Sequence, residues 1–198
     1  MPSEPESERR QFYRVDDHVG IEYRLLEAEP TGPLETLFEG GETLPLEDEF
    51  RRHDSEIRHH IALLGESNRT TAQLAKALND KLDTVARIMA FQQKPLQEDQ
   101  WLPVTLSEGG VAFPAAAPAP NAGALVAVRL TLLPELSQVV ALGRVVDLET
   151  GASGQSLVRL QFTQLEDHER QQIARHVLRI QARERQQRRQ RDDLQNGQ

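Results

Sequence analysis

The sequence predicts an α+β fold: a small antiparallel β-barrel, interrupted by a long helical, coiled-coil-like segment and followed by a C-terminal helix. Three observations predict it. Short segments alternate apolar with polar residues, as in Val126, Val128, Leu130 and Leu132 against Arg129 and Thr131; a seven-residue repeat runs from Phe50 to Val85; and Ile173, Val177 and Ile180 form a narrow helical stripe. Alternation turns one face of a strand toward a core, whereas spacings of three, four and seven do the same for a helix.

A chain of 198 residues can bury one core with appendages. No apolar run approaches the roughly 20 residues needed to cross a bilayer, so membrane insertion is not expected. The absence of cysteine removes disulfides, thiolate nucleophiles and cysteine zinc sites. A net charge of -8 argues against general attraction to nucleic acid, while local basic clusters can still hold a compact anion. The start, Met1 to Arg10, is acidic and polar where a secretory signal is basic and then apolar, so the expectation is a cytoplasmic location, with residues 1–8 a disordered acidic tail.

In chain order, Val19, Ile21, Tyr23 and Leu25 share one face of a half-buried strand whose other face carries Glu22 and Arg24. Residues 27–45 contain Pro30, Gly32, Pro33, Gly40, Gly41 and Pro45, and read as a linker. The helical insertion spans about 46–92. Phe50, Ile57, Leu64, Thr71, Leu78 and Val85 are each seven apart, with Ile61, Ala75, Leu82 and Met89 at the intervening four-residue steps, a pattern that suits an oligomerising coiled coil or amphipathic helices packed within the chain. Asp54, Asn68 and Thr71 interrupt the seam. Gly65, Ser67 and Asn68 supply a helix stop and a new N-cap, so one straight helix and a helical hairpin both remain open.

After Pro95 the pattern returns to strands: 104–106 and 111–113 around a tight turn, then 126–132, 139–148 and 158–162, which with the first strand make the barrel. Residues 114–123 read as a flexible, polyproline-like excursion that does not pack. From Glu166 the chain is helical, and residues 183–198 form its polar end or tail. On base rates Trp101 is expected to be buried.

Two short elements carry chemistry. Arg9-Arg10-Gln11-Phe12-Tyr13-Arg14 precedes the first strand, and guanidiniums at 10 and 14 suit an anion clamp, because the planar fork donates paired hydrogen bonds to phosphate or to the guanine edge. Thr105-Leu106-Ser107-Glu108-Gly109-Gly110 sets a hydroxyl and a glycine at a strand corner, where the backbone can approach a ligand. Together these resemble the PilZ family, which carries Arg-x-x-x-Arg before its first strand and Asp/Asn-x-Ser-x-x-Gly on a later strand pair. Arg10 and Arg14 match the first element, and Ser107 and Gly110 the second. Thr105 stands where the family has Asp or Asn, so a hydroxyl replaces the acceptor for the guanine N1 and N2 protons.

The resemblance covers about Arg9 to Arg183, taken as a domain over 9–182. It implies a PilZ-type barrel and a non-enzymatic receptor or adaptor of bacterial cyclic-di-GMP signalling in motility, biofilm or surface behaviour. The implied ligand site comprises Arg9, Arg10, Arg14, Thr105, Ser107 and Gly110, with cyclic-di-GMP as ligand and no cofactor or metal. The chain is also similar to a PilZ subgroup with heptad-bearing helices that assembles as a tetramer, some of whose members lack the nucleotide-binding residues. That likeness implies a homo-oligomer, dimer or tetramer, through 46–92, and an unidentified protein effector; its alternative is a degenerate scaffold that does not bind the nucleotide.

Other elements point elsewhere less strongly. His53 and His60 lie two helical turns apart without a completing ligand set. No phosphate loop, dinucleotide fingerprint or nucleophile elbow is present, and no catalytic residues are proposed. The run Arg183, Arg185, Arg188, Arg189 and Arg191 lacks aromatic residues and reads as a solvated helix end, so nucleic acid is not an expected partner.

Overall fold

The computed structural model describes residues 12–38, 45–116, 118–150 and 156–196. It divides into two compact units, one made of Met1–Leu34, Gln97–Leu133 and Ser137–Gln198, the other of Glu35–Leu96 with Pro134–Leu136.

In the first unit, strands β1 (Val15–Leu26), β2 (Trp101–Ser107), β3 (Gly110–Ala115), β4 (Leu125–Leu132), β5 (Ser137–Thr150) and β6 (Ser156–Gln164) close into a barrel in the order β1-β2-β3-β6-β5-β4. Neighbouring strands are antiparallel. Closure pairs both edges of every strand, which leaves no row of unpaired peptide groups to template aggregation. The inward rows are the alternating apolar positions: Val15, Val19 and Ile21 of β1, Val104 and Leu106 of β2, Val111 and Phe113 of β3, Val126, Val128, Leu130 and Leu132 of β4, and Val158 and Leu160 of β6. Tyr23 tilts against Phe113 with ring centroids 5.5 Å apart. β5 breaks the alternation. Register shifts fall between Leu142 and Gly143 and between Val145 and Asp147; at the second, Val146 and Asp147 are both exposed, so the inward row passes from Val145 to Leu148, three residues on instead of two.

Helix α3 (Asp167–Asn196) continues from the last strand and adds Ile173 and Val177 to the barrel core. Three polar residues on the same stripe, Glu169, His176 and Gln181, are also buried. The Glu169 carboxylate accepts from the Val140 N–H at 2.7 Å, and His176 pairs with Asp17 on the inward row of β1. Beyond the docked part, residues 185–191 are exposed, as the sequence suggests.

Two expectations require correction. The segment 114–123 is not wholly a non-packing excursion: Pro114 and Ala115 continue β3 opposite Leu157 and Ser156, Ala115 is buried, and Ala119 packs against the core. Pairing with β6 holds these residues in place although their composition suggests a loop. Trp101 opens β2 opposite Gly20 and is half-buried rather than buried.

The second unit resolves the choice left open for the heptad segment. Helices α1 (Pro45–Ser67) and α2 (Arg69–Gln93) are separated by one residue, Asn68, whose side chain accepts from the Thr71 N–H at 3.1 Å. Its extended backbone reverses the chain. Ile57, Ile61 and Leu64 consequently line the same groove as Ala75, Leu78 and Leu82. In one straight helix Ile57 and Leu82 would stand about 37 Å apart. The side chains of Phe50 and Asp54 lie outside the described residues.

Candidate functional site

The β2–β3 hairpin is built by the register Thr105 opposite Ala112, Leu106 opposite Val111 and Ser107 opposite Gly110. Leu106 and Val111 face the core, which turns Thr105, Ser107, Gly110 and Ala112 to the outer face. Ser107 Oγ donates to the Gly110 carbonyl at 3.3 Å. A Cβ at Gly110 would lie 2.3 Å from the Leu160 carbonyl oxygen, so glycine is required for β3 to approach β6. The Phe162 N–H then donates to the Gly109 carbonyl at 2.9 Å. Ser107 and Gly110 therefore both have roles inside the fold.

β1 brings the N-terminal element to this hairpin. Asp16 lies opposite Thr105, whose Oγ1 donates to Asp16 Oδ1 at 2.8 Å. Arg14, two residues earlier and exposed, precedes the strand directly. The Phe12 ring packs on the turn, where a Cβ at Gly109 would come within 2.8 Å of it. Of the predicted site residues, Arg14, Thr105, Ser107 and Gly110 thus belong to one neighbourhood of β1 and the β2–β3 hairpin. Arg9 and Arg10 lie outside the described residues.

Sequence reading missed three neighbours. Asp16 reads as an ordinary outward strand residue until the β1–β2 register sets it beside Thr105. Arg170 of α3 is far away in sequence, yet its Nη1 donates to the Glu108 carbonyl at 3.4 Å. Arg159 of β6 lies opposite Ala112 and bonds to both Asp147 and Glu149, the latter at 3.0 Å. The hydrogen bonds that Arg159 donates to Glu149 and Asp147 raise its pKa further above its already high ordinary value. Small residues of β3, Gly110 and Ala112, therefore run between polar residues of β2 and of β6, Gln161 and Arg159.

At the barrel core, burial pushes the Asp17 carboxyl up. The His176 hydrogen bond and a backbone hydrogen bond at His18 lead the effects that outweigh it and hold the carboxyl below the usual carboxylate value. Among the described residues, no group of three or more acidic or histidine side chains is placed to hold a metal; His53 faces Glu56 at 3.8 Å. No helix among them is long and apolar enough to cross a membrane.

The PilZ domain family model matches residues 92–179. No curated protein matches the chain. Among solved structures, the inhibitor of motility MotI/DgrA from Bacillus subtilis is 18% identical at a TM-score of 0.38, the match spanning 44% of each chain. A pathogenic protein from Xanthomonas campestris, described as a new tetrameric PilZ domain self-assembled via an unusual helical bundle, is 16% identical at a TM-score of 0.52. That match covers 88% of this chain and 91% of the other, so the likeness extends over the fold as a whole.

Proposed function

We propose, from the premise that residues 92–179 are a PilZ domain, that the protein is a non-enzymatic cyclic-di-GMP receptor that self-assembles and passes the signal to a protein partner in the bacterial cytoplasm. The observation that supports the reading is the place of the described end of the first element: the Phe12 ring packs on the turn at Gly109, and Arg14 directly precedes β1, which pairs with the strand that carries Thr105 and Ser107. Ligand binding at this hairpin then changes the surface offered to the partner. Calorimetric titration of the full chain with cyclic-di-GMP is the test. Saturable heat that disappears in Arg14→Ala supports it; a folded protein that gives no heat at high concentration overturns it.

Self-assembly is supported by the hairpin. Leu74, Leu78, Leu82, Val85, Ile88 and Met89 recur at spacings of three and four along one face of α2 and are all more than 40% exposed. The α1–α2 groove of about 360 Å³ is lined by six apolar residues together with His60 and Asn79. The occupant we assign to this face is a second hairpin of the same chain, as a dimer or tetramer; the Xanthomonas fold relative is itself described as self-assembled through a helical bundle.

A second reading has its own observation in its favour. Because Ser107 and Gly110 are both engaged by the barrel, they are compatible with a scaffold that keeps the signature for folding and acts through its helices. The same titration separates the two: the scaffold assembles without taking the nucleotide.

A further inference from the structure

We infer that Asp16, and not Thr105, is the acceptor that reads the guanine base of the ligand, an assignment that rests on the receptor reading above. Guanine presents N1–H and N2–H on one edge, and a carboxylate accepts both; a hydroxyl has a single oxygen and offers no matching pair. Adenine lacks those two donors, so a carboxylate at this point also sets the choice of base. At the signature position this chain has Thr105, and the β1–β2 register places Asp16 directly opposite it on the outer face.

The hydrogen bond between them gives each residue its role. Thr105 commits its hydroxyl hydrogen to Asp16 Oδ1 at 2.8 Å, which orients the carboxylate. Thr105 is thus a positioning residue. The other outward carboxylates of this sheet are held by cations: Asp147 and Glu149 bond to Arg159, and Glu22 accepts from Arg129 Nε at 2.7 Å. Asp16 is exposed, and its contact among the described residues is a neutral hydroxyl. It also follows Arg14, which directly precedes the strand, by two residues. One short stretch thereby offers a guanidinium for phosphate and a carboxylate for the base.

The experiment titrates the full chain with cyclic-di-GMP and with cyclic-di-AMP, in wild type, Asp16→Ala, Asp16→Asn and the exchange Asp16→Thr/Thr105→Asp. Asp16 is exposed, so its variants should fold, which circular dichroism checks. Asp16→Ala is expected to weaken cyclic-di-GMP by about 10- to 100-fold, the range for losing a paired base contact. It should also narrow the ratio between the two dinucleotides, which a purely structural defect would not do. Asp16→Asn keeps one acceptor oxygen and should fall between. The exchange moves the carboxylate across one strand pair and should restore much of the affinity. Wild-type binding that Asp16→Ala leaves intact overturns the assignment while the receptor reading stands. A wild-type chain that binds neither dinucleotide removes both.

Discussion

His176 Nε2 lies 2.6 Å from Asp17 Oδ2, and the imidazole is 2% exposed, so a buried, charge-assisted hydrogen bond ties the C-terminal helix to the first strand. Arg179 can only donate, and its Nη2 stands 3.4 Å from His176 Nδ1; Nδ1 is then the acceptor and Nε2–H the donor to Asp17. Replacing His176 with Ala leaves a carboxylate without its partner and a gap beside Ile173 and Val177. A loss on the order of 3 kcal/mol in urea denaturation is expected.

The same pair sets a pH dependence. The folded Asp17 pKa is lowered, so its contribution is complete above the unfolded carboxylate value of about 3.9 and disappears as pH falls through the lower folded value. The stability gap between wild type and Asp17→Asn should therefore hold above about pH 5 and close in more acidic solution. Denaturation at pH 6, 4 and 3 checks this, and an equal gap at all three contradicts it.

Gly110 and Leu160 make a second prediction. Since a Cβ at residue 110 would meet backbone at 2.3 Å, Gly110→Ala must part β3 from β6 and should cost more than 2 kcal/mol, by the usual scale of overpacking in a fixed strand pair, roughly 1–3 kcal/mol. Gly109→Ala meets only the edge of the Phe12 ring, which can swing aside, and should cost less. Thermal melts of the two variants compare them directly. The outcome matters for function, because lost binding in Gly110→Ala then reports a damaged barrel rather than a lost ligand contact.

The barrel was legible because most of its strands obey one rule: in β4 and β6 the inward residues are the alternating apolar ones. β5 was read less well, since the bulge that puts Val146 and Asp147 both on the outside moves the inward row from Val145 to Leu148 without any turn residue to announce it. Glu169 and His176 sit on the same helical stripe as Ile173 and Val177, and their spacing was visible. Their burial was not, because a polar residue on such a stripe is buried only if a strand supplies its partner. The candidate site, as a neighbourhood in the fold, was half legible for the same reason. Arg14, Thr105, Ser107 and Gly110 announce themselves in short motifs, whereas Asp16 and Arg170 acquire meaning only through register and long-range contact.

Asn68 supports a third prediction. It is the single residue between α1 and α2, and its side chain caps the second helix through the Thr71 N–H. Asn68→Ala removes the cap and should destabilise the hairpin by about 1 kcal/mol. It also puts a strong helix former at the break and removes one of the two polar interruptions, Asn68 and Thr71, of the seam between Leu64 and Leu78, favouring a straight helix over the hairpin. A spin-label pair at exposed positions Arg58 and Lys81 reads the difference, with the short distance of the wild type giving way to a longer population in the variant.

The exposed face of α2 supports the last. Leu78 and Leu82 are 56% and 66% exposed, and each belongs both to the exposed row and to the lining of the α1–α2 groove. A charge at either position stays hydrated in a monomer but must be desolvated if a second hairpin covers the groove, at a cost of several kcal/mol per copy. Leu82→Glu is expected to shift the chain from oligomer to monomer in sedimentation equilibrium while leaving the far-ultraviolet spectrum near that of wild type. Glu66→Gln, an exposed change close to the hairpin bend, controls for altered charge and should leave the assembly intact. A Leu82→Glu protein that sediments as wild type would show that this face is not the interface. Because burial is cooperative across the row, Leu74→Glu, one turn from Leu78, should weaken assembly in the same direction.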